Sequence, residues 1–296
     1  MAETSTFERT LAPLRRLLPQ RFRTDAPLVP VVRLTGVIGF STPLKPGLTV
    51  GSVARPLERA FAMRNARAVA LAINSPGGSA AQSHLIYRRI RALANEKQIP
   101  VIAVVEDVAA SGGYMIACAA DEIVCDPSSI VGSIGVVGGS FGFHKLIDKL
   151  GIERRLYTSG EHKAMLDPFL PEKPEDVERL KAIQREIHDS FIGLVTERRG
   201  AKLDSREKAL FSGEYWTGLR ARELGLVDGI GDLRSVLRER YGEKVRMPLI
   251  ADRGLFGRRS PGIARASLDQ LWNGPGLAED FVSALETRAM WGRYGL

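Results

Sequence analysis

Cysteine is almost missing from this chain. Only Cys118 and Cys125 occur in 296 residues, and no CxxC pair is present. That excludes a disulfide framework and a cysteine-built zinc site, and both thiols are expected to be free and buried. Long hydrophobic runs are missing too. No stretch of 18 apolar residues exists, so no membrane-crossing helix is predicted. The first residues lack the apolar centre of a secretory signal. No GxxxxGK[ST] loop is found, which excludes a P-loop for ATP. No basic stripe interleaved with aromatics and no nucleic-acid motif appears, so no nucleic acid is expected as a partner. No metal site and no cofactor site is expected either.

What is present is the balance of a globular protein, 44% hydrophobic and 26% charged, enough to build a core without staples. The net charge is +8, and it is enriched at the two ends. "FERTLAPLRRLLPQRF" near the start is basic and amphipathic but is interrupted by Pro13 and Pro19. "RGLFGRRSPGIAR" lies near the end. Such ends favour peripheral contact with an anionic membrane leaflet, although a solvated surface is the simpler reading. The expected location is cytoplasmic or peripheral at the inner face of a membrane.

Residues 29–39 alternate and are β-branched, and read as a strand. "VARPLERAFAMR" reads as a helix entered near Thr49 or Ser52. "ARAVALAIN" (66–74) is continuously apolar, as a strand buried on both faces should be. It ends in Ser75-Pro76-Gly77-Gly78, and a helix over 79–97 follows. "IPVIAVVED" (99–107) is a second buried strand, leading to Ser111-Gly112-Gly113 and an apolar helix. "DEIVCDP" reads as a short strand, "FHKLIDKLG" as a helix and "IERRLYTSG" as a strand ending at Gly160. A long amphipathic helix runs from Pro174 to Gly200. "SREKALFSGEYWTGLRARELGLVDGIG" reads as two short helices and a turn, and "DLRSVLRERYG" as another helix. Strands alternating with helices predict an α/β fold with a mainly parallel sheet. Its active residues are expected at strand C-terminal ends, here 75–78, 109–113 and 158–163.

Ser111 follows a strand and opens a helix whose free N–H groups suit an oxyanion. The alternative is a plain helix cap. Gly77 and Gly78 free the backbone to aim N–H groups at a ligand, or simply serve a turn. A serine nucleophile needs a base. His84, His144 and His188 have no supporting pattern, and no histidine lies between Gly112 and Phe143. His162 lies at a strand end, but its neighbour Lys163 is the more interesting residue, because a lysine whose pKa falls on burial can act as base, although an ordinary surface lysine is the simpler reading. Glu106 and Asp107 read as strand-end solvation rather than catalytic carboxylates. Tyr215 and Trp216 read as helix packing rather than pocket lining.

"INSPGG", "AASGGYMIACAADEI", "GSIGV" and "SGEHKAMLDPF", in that order, resemble the signal peptide peptidase A and SohB family of serine proteases. "FSGEYWTGLRARELGLVDGIGD" extends the likeness, which covers about residues 30–242. The spacing of 52 residues from Ser111 to Lys163 is similar to the family's. The resemblance implies Ser111 as nucleophile, Lys163 as general base and Ser133 as the residue that orients the lysine. Gly112 and one of Gly77 or Gly78 would line the oxyanion hole. It implies a ClpP/crotonase-like α/β superfold. It also implies a ring- or dome-shaped homo-oligomer in which serine and lysine can come from neighbouring subunits. The implied substrates are peptides or proteins, such as signal-peptide remnants and membrane-derived or misfolded chains. The domain organisation expected is a basic extension (1–29), a protease domain (30–242) and a C-terminal extension (243–296) with a helix near 278–290. Many relatives carry an N-terminal membrane anchor that this sequence lacks. The competing readings are a crotonase-type acyl-CoA enzyme, which would leave Ser111, Ser133 and Lys163 unexplained, and a catalytically idle scaffold. The pocket before the scissile bond is expected to be small and apolar, near Ile134 and Val136.

Overall fold

The architecture grows outward from two strands with no polar face. β2 (Val69–Ser75) and β3 (Val101–Ala110) lie parallel at the centre of one sheet, and nearly every residue of both is buried. β1 (Val31–Thr35) adds to β2, and β4 (Glu122–Cys125) and then β7 (Gly229–Ile230) add beyond β3, all parallel. The computed structural model describes residues 26–39, 47–251, 284–285 and 287–296. The basic stretch before residue 26, the loop over 40–46 and most of the basic tail therefore lie outside the described residues.

β3 is ten residues long and changes partner midway. Ile102–Val105 pair with β4, whereas Val108–Ala110 pair with β5 (Ile130–Gly132). The register with β2 also slips here, from Ile73 opposite Val105 to Ser75 opposite Ala109. Glu106 and Asp107 occupy this irregularity. Arg33 binds Glu106 at 2.8 Å, and the Asn74 amide donates to Asp107. The buried Ser129 hydroxyl donates to the Glu106 carbonyl, serving a backbone group left between two partner strands. The two acids thus sit on the outside of a strand junction.

Helices cover both faces. α1 (Val50–Phe61) starts at Thr49, which forms a reciprocal cap with Ser52. α2 (Ala80–Lys97) starts at Ser79 and ends at Gln98 in the left-handed conformation. These two helices pack with α3 (Gly112–Ala117) and with Phe191, Leu194 and Val195 of α5 (Pro174–Arg199) on one face of the sheet. α7 (Leu233–Tyr241) covers the opposite face through Leu237. The result is an α/β fold of the ClpP/crotonase-like type, a mainly parallel sheet with flanking helices. Residues 246–250 hydrogen-bond along β1, from Val29 N–H to Arg246 and Ile250 N–H to Val31. Both cysteines are free and buried, and burial pushes their thiols up to about 12.

Two sequence expectations need correction. Residues 152–160 form no strand; they run over the surface with no described strand beside them, and alternation without a partner cannot make a ladder. α4 (His144–Lys149), just before them, forms as expected. Residues 215–217, expected within helices and a turn, form β6 (Tyr215–Thr217), antiparallel to β5. The open edge of β5 accounts for this, since it offers Tyr215 and Trp216 a ladder that local pattern does not reveal. α6 (Gly218–Glu223) follows at once.

A buried ion pair ties α5 to the end of the sheet. Arg199, 4% exposed, donates to Asp228 at 2.7 Å and, through its other nitrogens, to the Gly225 carbonyl. Burial alone would raise the Asp228 carboxyl. Hydrogen bonds from Arg199, Lys202 and the Ile123 N–H outweigh it and hold the carboxyl below its ordinary value. Arg199→Ala should therefore lower stability to urea, but by less than the about 3–5 kcal/mol of a stranded buried charge, because the partly buried Asp228 keeps Lys202 and the Ile123 N–H. The stabilisation held by Asp228 should be complete above its unfolded pKa of about 4 and fade as pH falls through the lower folded value. Urea midpoints measured from pH 7 to pH 3 check both.

Candidate active site

β3 delivers Ser111 to the start of α3 with φ 52° and ψ −122°, a backbone conformation that a non-glycine residue adopts at a cost of about 1–3 kcal/mol. The turn is pinned on both sides. Ser111 N–H donates to the Gly132 carbonyl at 2.8 Å, and Met115 N–H donates to the Ser111 carbonyl at 3.0 Å. Tyr114, fully buried, donates its hydroxyl to the Leu226 carbonyl at 2.7 Å and fixes α3 from below. Ser111 itself is half-buried and makes no side-chain cap. The plain helix-cap reading therefore fails.

The glycines are explained by crowding. A Cβ on Gly112 would overlap Ser83 Oγ, and one on Gly113 would overlap the Ser75 carbonyl. Gly77, at φ 101°, lies directly against the turn; a Cβ there would come within 2.9 Å of Ser111 Cβ and 3.0 Å of Gly112 N. Gly78 faces Ile38 instead, as its bridge partner. The two differ in hydrogen bonding. Gly77 N–H donates to the buried Ser75 hydroxyl at 3.3 Å, whereas Gly78 N–H and Gly112 N–H donate to no described residue.

Ser133 comes to the same place by strand register. Ala110 is opposite Gly132 in the parallel β3–β5 pair, so Ser111 and Ser133 leave adjacent strands at one level, with strands about 4.8 Å apart. Ser133 also has positive φ, 55°, and its N–H donates to the Glu214 carbonyl at 2.6 Å. Two of the five non-glycine residues with positive φ among the described residues are thus the two candidate serines, side by side.

Lys163 is not joined to this pair. It lies exposed in a turn over 161–166, with its side chain folded over Gly160. No hydrogen bond joins it to Ser111, to Ser133 or to any acid among the described residues. No histidine takes its place. His188 pairs with the Ile134 carbonyl at 3.1 Å, His162 lies 3.4 Å from Arg179, His84 stacks on Tyr87 and His144 begins α4. Ile134 is fully buried, while Val136 flanks a cavity of about 210 Å³ with Lys181, Gln184, Arg185 and His188, more basic than the apolar pocket expected there. No cluster of metal-ligating side chains occurs among the described residues.

Sequence reasoning missed Tyr294. Its hydroxyl reaches Ser133 Oγ at 3.4 Å, and its ring packs on Tyr215. A contact across 161 residues leaves no local signal. Trp216 lies against Gly132, leaving no room for a Cβ there, so it packs on the β5 backbone and not within a helix.

Residues 93–244 match the model of peptidase family S49. The chain is 56% identical over 287 residues to a protein of Brucella abortus (strain 2308) named Na(+)/H(+) antiporter NhaA; the match covers 96% of this chain and 39% of that protein. A putative protease of Synechocystis sp. is 31% identical over 201 residues, covering 66% of this chain and 72% of its own. A solved mutant form of a membrane-bound stomatin-specific protease, in complex with a substrate peptide, aligns at 18% identity and a TM-score of 0.48, covering 79% of this chain and 96% of its own. Among the described residues, no helix is long and apolar enough to cross a membrane.

Gly77→Ala should push the turn away from Ser111. The expected cost is about 1–3 kcal/mol of stability, with a loss of any Ser111 reactivity larger than that destabilisation explains. Urea melts run beside labelling of Ser111 by a serine-directed phosphonylating probe check both.

Proposed function

The chain belongs to peptidase family S49, and on that premise we propose that it is a serine peptidase with Ser111 as nucleophile and Lys163 as general base. The observation that carries this reading is the Ser111 turn: a strained serine beside the unengaged N–H of Gly112, with Gly77 packed on the turn and the unengaged N–H of Gly78 next in sequence. Ser111 Oγ attacks the scissile carbonyl carbon and passes its proton to the neutral Lys163 amine. The resulting oxyanion accepts from the Gly112 and Gly78 N–H groups. Collapse expels the amine of the leaving peptide, which takes the proton from Lys163. Water then repeats the sequence on the acyl-enzyme. Gly78 is favoured over Gly77 as the second donor because the Gly77 N–H already has a partner in Ser75.

Lys163 must be neutral to act as base, and a lysine ordinarily titrates near about 10.4. Burial lowers that value, and in the single chain Lys163 is exposed. The surroundings that bury it come, in this proposal, from a second copy of the chain. The stretch carrying Lys163 supports this. Val137, Phe141 and Tyr157 are 72%, 79% and 90% exposed, an apolar surface of the kind that marks an interface. The active species is then a homo-oligomer, with the serine and lysine contributed by neighbours. The proposed substrates are peptides, signal-peptide remnants and membrane-derived or misfolded chains included. Peripheral attachment through the basic ends belongs to the same proposal.

The isolated position of Lys163 favours one other reading, a catalytically idle assembly protein. Hydrolysis of a fluorogenic peptide set, with oligomer size followed in the same samples, separates the two. Ser111→Ala and Lys163→Ala should each lower kcat by at least about 10³-fold while leaving assembly unchanged. An assembled wild type that cleaves none of the peptides supports the idle reading, and equal cleavage by all three proteins refutes the assignment of the dyad.

A further inference from the structure

The candidate site has an occupant from its own chain. Residues 287–292 are helical, and Arg293–Leu296 follow as a turn. Three contacts dock this segment beside Ser133. The Tyr294 ring meets Tyr215 edge to face, with centroids 5.1 Å apart and planes at 73°. Tyr215 Oη donates to the Arg293 carbonyl at 3.2 Å. Tyr294 Oη donates to Ser133 Oγ at 3.4 Å. Tyr215 stands opposite Gly132 in the β5–β6 pair, so the ledge that receives Tyr294 is built from the strand hydrogen-bonded to the one that presents Ser133.

The chemistry of the contact is that of a placeholder. A serine hydroxyl offers one donor and two acceptor lone pairs. An oxygen-to-oxygen distance of 3.4 Å is well beyond the 2.7–2.8 Å typical of hydroxyl pairs. A lysine nitrogen directed at the same oxygen is the stronger partner, above all when charged. Ser133 is therefore held by a weak donor where a stronger one fits. The Lys163 side-chain amine, meanwhile, makes no hydrogen bond to a described residue. The two facts have one explanation if Tyr294 and Lys163 compete.

We propose that the ledge formed by Tyr215 and Ser133 is a binding site for the Arg293–Tyr294 segment of this chain, and that Tyr294 excludes Lys163 from Ser133 while docked. This rests on the roles given above to Ser133 and Lys163. The segment restrains the catalytic base and leaves the oxyanion groups of Gly78 and Gly112 untouched. Undocking enlarges the fraction of molecules able to turn over without altering how substrate binds.

The test compares peptide hydrolysis by the full chain with Tyr294→Ala, Tyr294→Phe and Ser111→Ala variants, with urea midpoints and oligomer size recorded for each. One edge-to-face aromatic pair and one long hydrogen bond are together of a size to change the competent population about five- to twentyfold. Tyr294→Ala should raise kcat by about that factor with KM unchanged, and Tyr294→Phe by a smaller factor, because the ring contact remains. A merely structural role predicts the opposite, a fall in kcat that follows the urea midpoint. Unchanged or reduced kcat in Tyr294→Ala, with Ser111→Ala inactive, overturns the inference alone. Activity that survives Ser111→Ala overturns the dyad reading, and this inference with it.

Discussion

The backbone hydrogen bond from Ser111 N–H to the Gly132 carbonyl is the constraint on which the site depends. It joins the end of β3 to the end of β5 and holds both flanking serines at positive φ. Everything around it has given up side-chain volume to let these ends meet. Gly112 and Gly113 make way for Ser83 and Ser75, Gly77 for Ser111, and Gly132 for Trp216. In this crowded turn the Gly78 and Gly112 N–H groups donate to no described residue. Unengaged N–H groups are what the proposed oxyanion site requires, and the strain in the turn is sustained by the buried strands beneath it.

Those strands were legible in the sequence because burial on both faces removes alternation. β2 and β3 read as continuous apolar runs, and their following helices begin at Ser79 and Gly112 as capping and glycine patterns suggest. Ser111, Gly77 and Gly112 could be singled out as candidates because each follows the C-terminal end of such a strand. Ser133 was found only by resemblance, since a serine in a glycine-rich stretch has no signal of its own. Its position depends on the parallel register of β3 and β5, which begins only beyond the residues of β3 that pair with β4.

What the sequence misled about lies at edges and over long range. Residues 152–160 have strand-like residues but no described strand beside them, and β6 has helix-like neighbours but an open edge to pair with. Pairing partners decided both cases. Tyr294 was invisible because its contact with Ser133 spans most of the chain. Lys163 marks a different limit. The role of base proposed for it requires burial, and in this single copy of the chain it is exposed.

The central claim is that the strained Ser111 is a nucleophile whose reactivity depends on Lys163. Treating the full chain with a fluorophosphonate and mapping the adduct by peptide mass spectrometry tests this most directly. The account predicts a single stoichiometric adduct on Ser111 that is lost in the Lys163→Ala variant at unchanged oligomer size. An adduct on another residue, or labelling of Ser111 that is indifferent to the loss of Lys163, would contradict it.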